Sequence, residues 1–195
     1  MNMKQWLDQL AATPNKKPLP ILSFPGIQYM NGVTVRELVQ SSRLQADCIC
    51  QVAAHTDSAA GVGFMDLSVE AEAFGCKILL SDEDVPAVTG ALVTSYEEAE
   101  ALPIPKVAEH RSALFAEAIS LAKEQITDRP IFAGIIGPFS LAGRLVDVSE
   151  AMINCCEEPE MMHLLLEKAT TFLIDYALAF KAAGANGVMM AEPLA

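Results

Sequence analysis

Basic residues are scarce in this chain. Lysine and arginine number 13 against 25 aspartates and glutamates, for a formal net charge of −12. Nucleic-acid binding needs clustered cations to neutralise phosphates, and the few present are scattered, so nucleic acid is excluded as a main partner. A basic membrane-surface patch is missing for the same reason. Long apolar runs are missing too: none approaches the roughly 20 residues of a membrane span. The segment Met1–Thr13 lacks the basic stretch and long apolar core of a secretory signal. Five cysteines, an odd number with no framework spacing, argue against a disulfide scaffold and for a reducing compartment, the cytoplasm. A glycine-rich phosphate loop is also wanting. The first apolar run ends in Phe24-Pro25-Gly26-Ile27-Gln28, with a single glycine and a proline, which counts against a nucleotide as main ligand.

What is present is a globular composition. The chain has 195 residues, 52% apolar and 19% charged, enough for one packed domain without metal or disulfide staples. Lys4–Ala12 reads as an amphipathic helix that Pro14 stops. Leu19–Phe24 reads as strand one, with Pro20 tolerable at its start or on an edge. Thr34 and Glu37 have capping-box spacing, and helix follows to about His55 with a break near Ser41-Ser42. Val62–Leu67 is strand two. From Glu70 to Ile104 the pattern fits a β-rich insertion, with Cys76–Leu80 extended and Ser81–Asp84 an acidic turn. Lys106–Ile126 carries the clearest helical stripe. Ile131–Ile136 is apolar throughout, as in a buried parallel strand. One or two helices run to Cys156, and a long one from Pro159 ends near Gly184, a natural C-cap. Asn186–Ala191 is the last strand.

Strands alternating with long helices imply parallel β–α–β units, in an open doubly wound sheet or a (β/α)8 barrel. Both folds place function at the carboxyl ends of the strands. Two carboxylates stand there. Asp66 closes strand two, and Glu192 directly follows the last strand. A carboxylate in such a place is costly unless it is paired, caps a neighbouring helix or turn, or serves a ligand. Cys48, Cys50 and His55 invite a zinc reading, but i and i+2 leave a helix on different sides, so they read as buried thiols and no metal site is expected. His110, His163 and the methionines read as ordinary helix and core residues. A barrel needs eight units and typically about 250 residues. Roughly four strands are visible, so residues 1–195 are expected to form one partial domain, an amino-terminal half barrel truncated at its carboxyl end. Its apolar edge would favour a homodimer.

Three segments, Met65-Asp66-Leu67-Ser68-Val69-Glu70-Ala71-Glu72-Ala73-Phe74-Gly75, Gly137-Pro138-Phe139-Ser140-Leu141-Ala142-Gly143 and Gly184-Ala185-Asn186-Gly187-Val188-Met189-Met190-Ala191-Glu192-Pro193, resemble in order the uroporphyrinogen decarboxylase superfamily. Within it they are most similar to the cobamide-dependent methyltransferase branch that includes methylcobamide:coenzyme M methyltransferases. The resemblance implies a TIM-type (β/α)8 barrel with a strand-end cavity. It places Asp66 at the strand-end aspartate that contacts pyrrole nitrogens in the decarboxylases, a position that orients a ligand rather than cleaving bonds. Gly137, Pro138 and Phe139 match a cavity-wall segment, Glu192 falls near a substrate contact, and Phe24, Gly26, Asp66, Phe139 and Glu192 are the candidate substrate-binding residues.

Two departures from the family pattern bear on function. The decarboxylases carry arginines after strand one for the substrate's carboxylates, whereas Phe24–Met30 has none. The methyltransferases hold zinc through a His-x-Cys motif and a later cysteine, which belong to the second half of the family chain and have no counterpart here. The resemblance thus implies the amino-terminal part of an enzyme moving a methyl group from a methylcobamide, or its corrinoid protein, to a small thiol. Zinc and a corrinoid are implied for the intact enzyme and none for this chain alone. A tetrapyrrole carboxy-lyase and a non-catalytic half-barrel binding or assembly module are the other two readings.

Overall fold

The computed structural model describes residues 1–107 and 109–195. A three-stranded parallel sheet forms its centre, in the order β1 (Gly61–Val62), β4 (Ile131–Ile136), β5 (Gly187–Ala191). Between β1 and β4 a two-stranded antiparallel hairpin, β2 (Lys77–Leu79) and β3 (Ala87–Thr89), stands apart from that sheet. β4 lies between two partners, with Gly61 opposite Ile131 on one side and Phe132 opposite Gly187 on the other. Its residues are accordingly apolar, five of its six positions being fully buried. Asn186 fixes the register where β5 begins: its side chain accepts from Ile131 N–H at 3.0 Å, and its own N–H donates to Ile131 C=O at 2.7 Å.

Helices cover the sheet. Residues Met3–Ala12 form α1, capped by the Asn2 side chain, and Trp6 packs edge-on against Phe132 near the start of β4, with ring centroids 5.8 Å apart. The short α2 (Val35–Val39) starts on the expected capping box: Thr34 Oγ1 accepts from Glu37 N–H at 3.2 Å, and Glu37 returns the contact to Thr34 N–H at 2.9 Å. The expected break follows, and Ser41 caps α3 (Ser42–His55). After β1 come α4 (Val69–Phe74), then the hairpin, α5 (Tyr96–Ala101) and α6 (His110–Gln125). After β4 come α7 (Pro138–Val146), α8 (Val148–Glu157) and α9 (Pro159–Ala182). Gly184, at φ +96°, ends α9 in a left-handed turn. Its N–H donates to Lys181 C=O and that of Ala185 to Phe180 C=O, which satisfies the last carbonyls.

The sequence reading needs four corrections. Leu19–Phe24 is not a strand. Pro18 and Pro20 remove backbone donors and Pro25 starts a 3-10 helix over Phe24–Tyr29, so the segment lies along β1 without a ladder. It is tied instead by Ala59 N–H to Pro18 C=O at 2.8 Å and by the Ser23 hydroxyl to Val62 C=O. Strand two is much shorter than Val62–Leu67. A Cβ at Gly134 would meet Phe64 C=O and Met65 Cγ at 2.6 Å, so the chain crosses close over β4 there rather than running beside it. The insertion is only partly β: Val69–Phe74 and Tyr96–Ala101 are helical, and the hairpin occupies the middle. The expected helix from Lys106 includes Ala108, which lies outside the described residues, and α6 begins at His110.

Candidate functional site at the strand ends

Parallel strands place their carboxyl ends on one side of the sheet, so the segments after β1, β4 and β5 meet there. Asp66 lies four residues past β1, at the turn into α4. Its Oδ1 accepts from the Ser68 hydroxyl at 2.6 Å and from Ser68 N–H at 3.1 Å, which makes a local turn of the Asx kind. Its Oδ2 accepts from Arg111 Nη1 on α6. The same guanidinium donates from Nη2 to Ser68 Oγ at 2.9 Å and from Nε to Glu72 Oε2 at 2.6 Å. One arginine thus closes a network with two carboxylates and a hydroxyl. The Asp66 and Arg111 side chains are 1% and 7% exposed, and Glu72 opens it toward solvent at 24%. Burial pulls the Arg111 pKa down, but the charges of Asp66 and Glu72 and their hydrogen bonds outweigh it and push the value further up. The guanidinium is therefore charged throughout the working range.

Glu70 is enclosed on the next turn. Its Oε1 accepts from Ile136 N–H, at the end of β4, at 3.0 Å. This bond ties the Asp66 segment to the central strand. Burial, the largest influence, pushes the Glu70 carboxyl up to about 7; the Ile136 hydrogen bond pulls it down and the Asp66 charge adds to the rise.

Glu192, directly after β5, has a different environment. It reaches the first turn of α7, accepting from Phe139 N–H at 3.0 Å, from Ser140 N–H at 2.8 Å and from the Ser140 hydroxyl. A carboxylate on these otherwise free N–H groups also meets the positive end of the helix dipole. A side chain at Gly137 would collide with the Glu192 carboxylate, so only glycine allows this approach.

Glu192 and Phe139 are therefore in direct contact, and Asp66 is linked to the same strand end through Glu70. Phe24 is buried, stacked edge-on against Phe64 at 4.8 Å between centroids. A Cβ at Gly26 would point into α3, 2.6 Å from Val52 Cγ2 and 2.7 Å from Cys48 Sγ, so this glycine marks close packing of the 3-10 helix on α3. Sequence reasoning missed Arg111, Ser68, Glu70 and Ser140. The acidic cluster Asp66-Glu70-Glu72 signals the need for a cation, but nothing in sequence points to a residue 45 positions away.

Cys48, Cys50 and His55 do not form a zinc site. The Cys48 thiol donates to Ser23 C=O at 3.2 Å, and burial pushes its pKa up to about 12, away from the thiolate a metal needs. The His55 ring stacks on Tyr29 at 3.9 Å. Among the described residues no cluster of three or more His, Cys, Asp or Glu side chains could hold a metal ion. The residues present thus do not fit zinc.

The uroporphyrinogen decarboxylase (URO-D) family profile matches residues 26–195. Methylcobamide:CoM methyltransferase MtaA of Methanosarcina barkeri is 30% identical over 131 residues, which cover 66% of this chain and 39% of that protein. A methylated-thiol–coenzyme M methyltransferase of Methanosarcina mazei is 31% identical over 131 residues, 67% of this chain and 35% of its own length. The chain thus matches well under half the length of these curated relatives. A solved methyltransferase from Methanosarcina mazei superposes with a TM-score of 0.80 at 25% identity, covering 91% of this chain and 52% of that one. The parallel strands and the covering helices are those of a partial TIM-type (β/α)8 barrel. With these matches and the strand-end carboxylates in place, the chain belongs to the uroporphyrinogen decarboxylase family.

Proposed function

We propose that residues 1–195 are the amino-terminal part of a corrinoid-dependent methyltransferase that moves a methyl group from a methylcobamide to a small thiol. The observation that carries this reading over decarboxylation is the uncharged segment Phe24–Tyr29, ahead of α2. Phe24–Tyr29 is a 3-10 helix with no arginine, packed on α3. Arg111, at the strand ends, is already taken up by Asp66 and Glu72. A tetrapyrrole bearing many carboxylates would meet no free guanidinium from either element, whereas a methylated corrinoid or a small thiol makes no such demand. The names of the similar proteins support the same direction.

In this reading the ligand lies over the carboxyl ends of β1, β4 and β5. Phe24, Gly26 and Phe139 contribute to the wall, and Asp66 and Glu192 to its polar contacts. Asp66 keeps Ser68 and Arg111 and accepts ligand N–H groups on the remaining lone pair of Oδ2, and it takes no part in bond cleavage. The zinc and corrinoid belong to the intact enzyme, the corrinoid riding on a separate protein or free as methylcobamide. The reaction is cytoplasmic; all five cysteines are free and no helix among the described residues is long and apolar enough to cross a membrane. A homodimer through the exposed face of β5 belongs to the same proposal, since Val188 and Met190 are 38% and 55% exposed there. Sedimentation as a monomer at all concentrations would remove that part.

The test is to express a protein that carries this chain at its amino terminus and extends to the length of the methyltransferases it resembles, then to follow methylcobalamin loss with coenzyme M as acceptor and to measure bound zinc. Methylcobalamin loss with formation of the methyl thioether supports the reading. Porphyrinogen turnover without methylcobalamin loss would favour the carboxy-lyase instead.

A further inference from the structure

Among the described residues, Glu70 Oε2 on α4, Arg144 Nε on α7 and the Tyr176 hydroxyl on α9 are buried polar atoms with no hydrogen-bond partner. They belong to one neighbourhood: Glu70 feels the charges of Asp66 and Arg144, and Tyr176 those of Glu70, Asp66 and Arg111. None of the ion pairs among the described residues includes Glu70. An ionised Glu70 would carry one charged oxygen with no hydrogen bond, in dry surroundings and beside a second carboxylate, an expense that burial makes larger than the help of the Arg144 charge. Protonation converts that same oxygen into a donor and removes the repulsion.

We propose that Glu70 is the positioning residue of the strand-end site and acts as a neutral carboxylic acid. It holds Ile136 N–H at the end of β4 and so fixes the turn that carries Asp66, Ser68 and Glu72. Its retained proton spares the site a further negative charge beside Asp66. The position of its hydrogen bond supports this: Oε1 meets Ile136 at 3.0 Å, four residues after Asp66 in the chain and one residue before the glycine that Glu192 approaches. The inference deepens the ligand-orienting reading of Asp66 and rests on it for the site's purpose. The proton on Glu70 is measurable in the 195-residue protein whether or not methyl transfer is found, so the two can fail separately.

The charged and titratable groups that act on Glu70 are Asp66 from its own segment, Arg144 from α7 and Tyr176 from α9, with Arg111 of α6 engaged by Asp66 and Glu72, while β4 contributes the Ile136 N–H. Burial dominates and lifts the carboxyl from 4.5 to about 7. The folded state then holds this proton more tightly than the unfolded chain. The resulting stabilisation is complete below about 4.5 and is lost as the pH rises through about 7.

Urea unfolding of the 195-residue protein from about pH 5 to about pH 8, with E70Q, E70A and Y176F alongside, tests this together with infrared spectra in the carboxylic-acid carbonyl region. Relative to E70Q, the wild-type unfolding constant is expected to rise on the order of a hundredfold across that range. E70Q keeps an acceptor for Ile136 and loses the pH dependence; E70A loses stability at every pH. A protonated-carboxyl band is expected in the wild type on the acid side, absent on the alkaline side and absent from E70Q. Y176F is expected to shift the pH at which the band disappears. Parallel wild-type and E70Q profiles, or no such band, would overturn the proposal. Should E70Q fail to fold, a wild-type band that ignores pH or is unmoved by Y176F would overturn it equally.

Discussion

Asp66 and Glu192 occupy equivalent places, each soon after a parallel strand, yet the fold satisfies them by opposite means. Asp66 is buried and holds a side chain: its charge is matched by the Arg111 guanidinium, brought in on α6 from a distant part of the chain. Glu192 is half-buried and holds backbone: it takes the N–H groups that open α7. The difference lies in what a ligand can displace. Helix-end N–H groups are fixed by the fold and bind one anion in place of another readily. A buried guanidinium–carboxylate network gives up a partner only at substantial cost. The Asp66 side is therefore the rigid half of the strand-end surface and the Glu192 side the exchangeable half.

The largest expected effect is on the rigid half. Arg111→Ala leaves Asp66 buried without a cation and Glu72 without its partner, and should cost about 3–5 kcal/mol in urea unfolding. A loss no larger than that of a surface arginine would show that the network is not holding α4 to α6. Asp66→Asn keeps shape and removes one charge, with Glu72 still facing the guanidinium. A loss of about 1–3 kcal/mol is expected, partly recovered when it is combined with Arg111→Met in a double-mutant cycle.

The exchangeable half should respond less. Gly137→Ala forces a Cβ into the Glu192 carboxylate, with a cost of about 1–3 kcal/mol; a crystal structure of the variant should show Glu192 moved off α7. Glu192→Ala removes the acceptor at the helix start and should cost about 1 kcal/mol, read as a small drop in the thermal midpoint. If Glu192→Ala proved more damaging than Arg111→Ala, the division into rigid and exchangeable halves would be reversed.

Much of the frame was legible from the chain because local chemistry decides it. The apolar run Ile131–Ile136 has no polar residue to expose and is the central strand; Pro159 and Gly184 bracket α9; Thr34 and Glu37 cap α2 as their spacing requires. The failures occur where tertiary contacts override local pattern. Leu19–Phe24 has a strand's composition, but its prolines leave too few donors for a ladder, and side chains such as Ser23 supply the ties. Gly26 stands in a candidate wall segment, and nothing in the sequence shows its close packing against α3. The carboxylates Asp66 and Glu192 could be singled out as strand-end groups needing a partner. Arg111 could not, because its position on α6 becomes meaningful only when that helix packs on α4.

The most direct measurement for the function is methyl transfer by a protein that carries this chain at its amino terminus and extends to the length of the methyltransferases it resembles, comparing wild type with Asp66→Asn. The account predicts that the wild type consumes methylcobalamin and forms a methyl thioether from coenzyme M, and that Asp66→Asn folds but turns over at least tenfold more slowly. No methylcobalamin loss by the folded, zinc-supplied protein, or an Asp66→Asn rate equal to wild type, would contradict it.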